Sequence, residues 1–464
     1  MPLRRSLLFL LGPLLFALVQ FLLPLPGIGP AARTVLAATA WIAAWWMTEA
    51  VEIEVTALLP LLLFPLSGAL SLKASAAPYA HPLIFLYMGG FFIALAIERW
   101  ELHRRIALRI ILWIGTRPPQ VLGGFMLATA LLSMWISNTA TALMMLPIGL
   151  AVVRQMGEER RGLPAALMLG IAYAASIGGI ATPVGTPPNL VFQAELRERF
   201  GQEMGFSEWT RFVGPLALLL LLAAWGLLAS LHGLWQRGSD EGAARSIREA
   251  YAALGPLARE EARVLAVFCL TAFAWIGQPY LIKPWFPAID DTLIALLGGL
   301  SLFLLPAGGR QPLLDWKTAM RMPWGILLVF GGGMSLAEAF DQSGLAAWIG
   351  QQLEALGGAP YGLILLSLVA LMVFLTEVTS NLATASLMMP VLATLAPAMG
   401  FEPAKLMLPA VVAISCAFMF PVATPPNAIV FGSGHLRMQE MARAGFWLNL
   451  ICIALVWAYI YFLG

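Results

Sequence analysis

The chain has 464 residues, of which 60% are hydrophobic and only 11% charged. Soluble domains carry about 25% charged residues, so composition and a positive mean hydropathy over the whole length exclude a soluble protein, with or without one membrane anchor. A net charge of +2 is close to neutral and implies no nucleic-acid partner.

A spanning helix takes about 20 residues, which leaves room for roughly ten to twelve passes. Arg4 and Arg5 precede an apolar run that extends to Leu23. The run is long and no small-residue cleavage pattern clearly follows it, so it reads as a retained first helix near 6–24 rather than a signal peptide. Further apolar runs predict helices near 34–50, 52–70, 83–98, 165–183, 212–232, 260–277, 290–306, 325–340, 404–420 and 443–463. Two stretches, 121–153 and 361–397, are too long for one pass, and each is interrupted near its middle by Ser-Asn. Each reads as a re-entrant hairpin, a shape tolerated at membrane depth only where it is buried in protein or lines a cavity. Segments 101–115 and 343–356 look amphipathic and read as interfacial helices linking moving and static parts. Segment 233–259 mixes Arg with Asp240, Glu241 and Glu249 and reads as a solvated, partly helical connector. Cys269, Cys416 and Cys452 lie in apolar stretches and read as core hydrophobes.

Internal similarity decides the architecture. Ser137–Pro147 aligns with Ser380–Pro390 at an offset of 243, with seven of eleven positions identical. Pro183-Val184-Gly185-Thr186-Pro187-Pro188-Asn189 aligns with Pro421-Val422-Ala423-Thr424-Pro425-Pro426-Asn427 at an offset of 238, with six of seven identical. Gly89-Gly90 aligns with Gly332-Gly333, again at 243. Three matches in one order at nearly one offset indicate a duplication. The chain then divides into an N-terminal helix and linker (1–33), a first copy (34–232), the connector (233–259) and a second copy (260–464). The broken helices 165–198 and 404–435 follow the two hairpins. Each copy has five crossings and a hairpin that returns to its own side. Five is odd, so the copies are inverted. With the N-terminus inside, most Lys and Arg residues fall in cytoplasmic segments, among them Arg99, Arg104, Arg105, Arg154, Arg160, Arg161, Arg237, Arg310, Arg321 and Arg437. That is the expected bias. It predicts an inner (plasma) membrane protein of bacterial type, with the C-terminal Gly464 outside.

The polar breaks carry the chemistry. Ser133 lies four residues before Ser137, so on a helix both hydroxyls would share a face, and Asn138 follows with an amide oxygen. Thr376, Ser380 and Asn381 repeat the arrangement. These are neutral oxygen ligands suited to a hard cation such as sodium. Hydroxyls at this spacing also bond back to helix carbonyls, but the repetition in both hairpins favours ion sites. Two consecutive prolines break each Thr-Pro-Pro-Asn helix, leaving half-helix ends at mid-membrane beside the small residues Gly185 and Ala423. Helix N-termini with Asn and Thr donors hold anions. No Lys or Arg lies in either turn or break, so a bound anion would take its counter-charge from the cations, which couples the two bindings. Glu377 reads equally as a cation or proton carrier and as a paired structural carboxylate. Glu49, Glu52 and Glu54 read as an interfacial turn, and the aromatic residues mostly as lipid-facing or interfacial packing. His81, His103, His232 and His435 are not spaced as a metal cluster, and no hydrolase motif occurs.

With the Ser-Asn-Thr turn at 137–139, the Ser-Asn at 380–381 and the two Thr-Pro-Pro-Asn breaks, the chain resembles the divalent anion–sodium symporter family over nearly its whole length after the first helix. The resemblance implies an all-α polytopic fold of eleven spanning helices plus two re-entrant hairpins, with a scaffold domain, a transport domain that moves like an elevator, and a homodimer within membrane lipid. It implies Na+ as coupling ion and a di- or tricarboxylate substrate such as succinate, malate, fumarate or citrate, or sulfate in some branches. It places one sodium at Ser133, Ser137, Asn138 and the backbone of Gly185. The other lies at Thr376, Ser380, Asn381 and the backbone of Ala423. Substrate carboxylates would meet Asn138, Thr139 and Asn381, with Thr186, Pro187, Thr424 and Pro425 closing the pocket. One departure is Leu382, which stands where many members have Thr and removes a hydroxyl donor, leaving a lopsided site. Sodium-independent exchange, inorganic-anion transport and an intramembrane enzyme are the alternatives; the last would need a catalytic dyad or metal cluster that the sequence does not offer.

Overall fold

The computed structural model describes residues 2–154, 162–235, 241–308, 311–353 and 360–464. The charges at Arg160, Arg161, Arg237, Asp240 and Arg310, part of the connector, and the end of the 343–356 segment lie outside the described residues. In chain order the helices are α1 (Pro2–Ala17), α2 (Pro30–Thr48), α3 (Ile53–Thr56), α4 (Leu59–Ser67), α5 (Leu72–Ala76), α6 (Pro82–Arg99), α7 (Leu102–Ile114), α8 (Pro118–Ser133), α9 (Asn138–Arg154), α10 (Gly162–Ile180), α11 (Pro187–Phe200) and α12 (Phe206–Leu231). Then follow α13 (Glu241–Ala252), α14 (Arg259–Gly277), α15 (Asp291–Leu304), α16 (Trp316–Ala319), α17 (Trp324–Gln342), α18 (Leu345–Leu353), α19 (Tyr361–Thr376), α20 (Asn381–Ala398), α21 (Pro403–Ile414), α22 (Pro425–Phe431) and α23 (Met438–Leu463). Among the described residues there is no β-strand, and the fold is all-α as expected. Among the described residues, six helical segments are each long and apolar enough to cross a membrane alone.

Local chemistry sets the helix ends. Proline opens α2, α6, α8, α11, α21 and α22, a position where its missing N–H costs nothing. His81 Nδ1 accepts from Leu83 N at 3.2 Å to cap α6, and Asp290 Oδ1 accepts from Leu293 N at 2.9 Å to cap α15. The first expected helix is α-helical only to Ala17 and continues as a π-turn over Leu18–Leu22. The expected helix 52–70 is two short helices, α3 and α4, separated by a turn at Ala57-Leu58; Pro60 sits at the second position of α4 and has no N–H with which to continue the preceding turn. The connector is partly helical through α13. Arg105 holds its far end: the guanidinium donates to both Glu261 carboxylate oxygens at 3.1 and 2.9 Å and to the carbonyls of Leu254, Gly255 and Pro256.

One large hydrophobic cluster runs through most of the helices. α10 is buried on nearly every side and packs against α8, α9, α12 and α22, while α21 packs against α19, α20 and α23. Around this group, α6 lies along α15, and α17 lies against α3, α4 and α5. The hairpins meet the opposite copy: α9 packs on α22, and α20 packs on α11. Several aromatics expected at the lipid face are instead interior, Tyr87, Tyr173, Trp209 and Trp275 among them. Trp135, in the first hairpin turn, stacks on Phe206 at 5.5 Å and on Trp275 at 5.9 Å.

The copies differ in how the hairpin meets the helix that carries the Gly-Gly pair. A side chain at Gly333 would collide with Ser386 of α20, 2.8 Å away, so α17 and α20 are in backbone-close contact. At the equivalent Gly90 nothing lies within 4 Å, and Leu143, the equivalent of Ser386, is 54% exposed. Next to Leu143 on α9, a cavity of about 350 Å³ opens between α7, α9 and α13, lined by Glu101, Leu108, Met144, Ile148 and Ile247.

A partly buried ionic cluster joins α11 to α17, α20 and the start of α6. Arg199 at the end of α11 pairs with Glu195 at 2.9 Å on its own helix and with Asp341 of α17 at 3.2 Å. It also donates to Thr394 Oγ1 of α20 at 3.0 Å and to the Ala337 carbonyl at 3.1 Å. Beside it, Glu198 meets His81 Nε2 at 2.9 Å.

Candidate functional site

Both long apolar stretches are split into two helical limbs by a turn at the Ser-Asn motif. The first limb ends at Ser133 and the second begins at Asn138; in the other copy the limbs end at Thr376 and begin at Asn381. Ser133 and Ser137 therefore do not share a helical face, because the helix stops between them, and the same holds for Thr376 and Ser380. Ser137 instead caps the second limb, its Oγ accepting from Ala140 N at 3.3 Å.

The pairing that the fold makes is hydroxyl to amide across the turn. Ser133 Oγ lies 2.7 Å from Asn138 Oδ1 and 2.6 Å from the Ala175 carbonyl of α10. Thr376 Oγ1 lies 2.6 Å from Asn381 Oδ1 and 2.8 Å from the Ile414 carbonyl of α21. Each triad has three oxygens and one hydroxyl proton. If the amide is turned over, its N–H₂ donates to the hydroxyl and every group is satisfied; the two orientations are exchangeable in a static structure. With the oxygen inward, each triad has a surplus lone pair, which is the arrangement a hard cation selects. The Asn138 amide is closely confined: a Cβ at Gly179 would lie 2.5 Å from its Oδ1.

The prolines do not interrupt the broken helices from within. They stand at the first two positions of α11 and α22, and the non-helical segments are the residues just ahead of them, 181–186 and 415–424. The last residue of each Thr-Pro-Pro-Asn motif braces the segment. Asn189 Nδ2 donates to the Gly179 and Thr182 carbonyls at 3.1 and 2.9 Å. Asn427 Nδ2 donates to Ala417 and Phe420 at 3.2 and 3.0 Å. In both copies the acceptors lie ten and seven residues back. These asparagines were in view within the duplicated motif, but nothing in a linear sequence shows that their side chains turn backward.

The other supports differ. The first break is tied by Trp209 Nε1, which donates to the Ile180 carbonyl at 3.0 Å, and by Tyr87, whose hydroxyl lies 2.6 Å from the Thr186 carbonyl and 3.1 Å from that of Pro183. The second is held by Glu377. Its carboxylate accepts from Phe418 N at 2.7 Å, Met419 N at 3.0 Å and Asn449 Nδ2 at 2.7 Å, which assigns this residue a structural role. Position 134, its equivalent, is Met.

Asn138, Thr139, Asn381 and Leu382 occupy the first turns of the second limbs and are partly exposed. The limb of Asn138 and Thr139 packs on α22, which begins at Pro425; that of Asn381 and Leu382 packs on α11, which begins at Pro187. Thr186 and Thr424 are buried; Thr424 Oγ1 accepts from Asn427 N at 3.4 Å, whereas Thr186 makes no such cap. Gly185 N donates to the Thr182 carbonyl and Ala423 N to that of Phe420, the same turn in each copy. Leu382 packs against both hydrophobic clusters of the protein.

Residues 4–463 match the family described as the sodium:sulfate symporter transmembrane region. The chain is 42% identical over 468 residues to the sodium-dependent dicarboxylate transporter SdcS of Staphylococcus saprophyticus, covering 98% of this chain and 90% of that protein. It is 40% identical to its Staphylococcus aureus counterpart at the same coverage. Among solved structures it is similar to the Alcanivorax borkumensis YdaH transporter, with a TM-score of 0.60 and 16% identity over 99% of this chain and 97% of that one. The same TM-score holds for Neisseria gonorrhoeae MtrF at 12% identity, over 97% of each chain. At these identities the structural likeness concerns the fold alone.

Proposed function

The chain belongs to the sodium:sulfate symporter family, and on that premise we propose that it is a secondary active transporter, not an enzyme, that couples sodium entry to uptake of a divalent carboxylate. The observation that carries this reading is the pair of oxygen triads at Ser133–Asn138 and Thr376–Asn381, each closed by a helix carbonyl. One sodium sits with Ser133, Ser137, Asn138 and the Gly185 backbone, the other with Thr376, Ser380, Asn381 and the Ala423 backbone. The anion sits between the hairpin tips, against Asn138, Thr139 and Asn381, with Thr186-Pro187 and Thr424-Pro425 around it. With no Lys or Arg in the turns or breaks, the sodium ions supply the counter-charge, so anion affinity depends on their presence. The dicarboxylate class follows the curated relatives.

Transport proceeds by sliding of the hairpin-bearing group, α8–α12 with α19–α23, past the remaining helices. The contrast between Gly333, where a side chain would meet Ser386 of the second limb, and Gly90, where nothing lies within 4 Å, supports this: inverted copies exchange such arrangements in the opposite state. The functional unit is a homodimer in the inner membrane, N-terminus cytoplasmic and Gly464 outside, a reading supported by the charge bias and the family resemblance.

Proteoliposome uptake of labelled succinate is expected to require an inward sodium gradient. Equal uptake with choline in place of sodium would overturn the coupling, and stronger competition by sulfate than by malate would overturn the substrate class. Replacing Leu382 with Thr restores a donor at the poorer end of the site. A net hydrogen bond is worth about 0.5–1.5 kcal/mol, so a roughly 3–10-fold lower KM for succinate is expected in the same uptake measurement, with some loss of thermal stability from the two clusters that Leu382 bridges.

A further inference from the structure

Tyr87 lies on α6, outside the hairpin-bearing group, and its side chain is buried. The helix is fixed against α15, where a side chain at Gly89 would overlap the Ala295 backbone. The Tyr87 hydroxyl reaches the carbonyls of Pro183 and Thr186, which flank Val184 and Gly185 on both sides. A phenol has one proton, so it is shared between two acceptors that it keeps within about 3 Å of one oxygen. This holds the Val184–Gly185 peptide from both flanks. The Thr186 carbonyl has a second donor, Asn189 N at 3.2 Å; among the described residues the hydrogen bonds give Pro183 only Tyr87. In the other copy the equivalent residue is Phe330, which has no hydroxyl, and Val422 in the second break is 83% exposed. The two breaks are therefore held differently, although their motifs are nearly identical.

We propose that Tyr87 is a positioning residue for the first cation site: it sets the Gly185 backbone against the Ser133–Asn138 triad. Because it reaches in from the helices that the hairpin group slides past, it makes cation affinity at that site depend on where the group stands. The inference rests on the sodium sites proposed above. It gives the two sites unequal character, the first dependent on a neighbouring helix and the second held from within its own group by Glu377.

The test is Tyr87→Phe in the full-length protein, with Trp209→Phe as the comparison, since that change removes a donor to the same break at Ile180 without touching the flanks of Gly185. Sodium is titrated at fixed succinate, reading melting temperature in detergent and uptake in proteoliposomes. For Tyr87→Phe the half-saturating sodium concentration is expected to rise about 3–10-fold, the consequence of one lost hydrogen bond, while succinate affinity at saturating sodium changes less than about twofold. Trp209→Phe is expected to lower the sodium-free melting temperature without moving the sodium midpoint. An unmoved midpoint in Tyr87→Phe, or equal shifts in both variants, overturns the inference. A wild-type protein whose melting temperature and uptake ignore sodium overturns the coupling reading itself, and this inference with it.

Discussion

Replacement of Glu377 by Ala is expected to cost about 2–6 kcal/mol of stability, because two buried donors lose their acceptor, together with a half-buried one that water can reach, and each unsatisfied buried donor costs about 1–3 kcal/mol. Those donors are the backbone N–H groups of Phe418 and Met419 and the side chain of Asn449. They belong to the second break and to α23, so the carboxylate joins the hairpin tip to two other elements. Glu377→Gln keeps one carbonyl oxygen and nearly the same volume, and should lose less than half as much. Thermal unfolding in detergent, with and without sodium, separates this structural role from a cation-binding one. A structural clamp lowers the melting temperature in both conditions. A Gln variant with wild-type stability but no response to sodium would return Glu377 to the ion site.

Asn138→Ala and Asn381→Ala should each lower kcat/KM for sodium-dependent succinate uptake by about 10–100-fold. Each removes a triad oxygen and, in the site proposed above, an amide donor to a carboxylate, and hydrogen bonds to charged groups are worth about 1.5–3 kcal/mol. Asn138→Asp discriminates between the two roles of this residue. An added negative charge next to a cation site favours the cation and repels the anion. The thermal shift caused by sodium should persist while the further shift caused by succinate disappears. If succinate still stabilises Asn138→Asp as it does the wild type, Asn138 does not face the anion.

The features legible in the sequence were those that repeat or that persist along one segment. The duplicated Ser-Asn and Thr-Pro-Pro-Asn motifs located both hairpin turns and both breaks, and the apolar run lengths located most helices. What failed was local geometry inside the motifs. The i, i+4 spacing of Ser133 and Ser137 requires a continuous helix, which ends at Ser133, and the side chain that Ser133 meets is Asn138, five residues on. The Pro-Pro pairs mark broken helices as expected, but they stand at the start of the second half rather than inside the gap. Missing altogether were the supports that come from distant positions: Tyr87 lies 99 residues from Thr186, and Asn449 lies 72 from Glu377. Hydrophobic periodicity places such residues on a face but does not say which polar atom they meet. Glu377 shows the limit clearly, since a carboxylate beside an ion-site hydroxyl reads the same in sequence whether it binds a cation or three N–H groups.

The cluster around Arg199 bears on how quickly the hairpin-bearing group can part from the remaining helices. A buried ion pair is hard to open when one charge is left behind uncompensated, at a cost of about 3–5 kcal/mol. Here Glu195 sits one helical turn before Arg199 on α11, so the two depart together. In the sliding proposed above, parting from Asp341 and the Ala337 carbonyl, and parting Glu198 from His81, would leave the guanidinium neutralised by its own helix, with Thr394 travelling with it on α20 and the half-exposed Asp341 left to water. On that proposal the fastening would open at a lower cost than a lone buried pair, because the moving half would carry its own counter-ion.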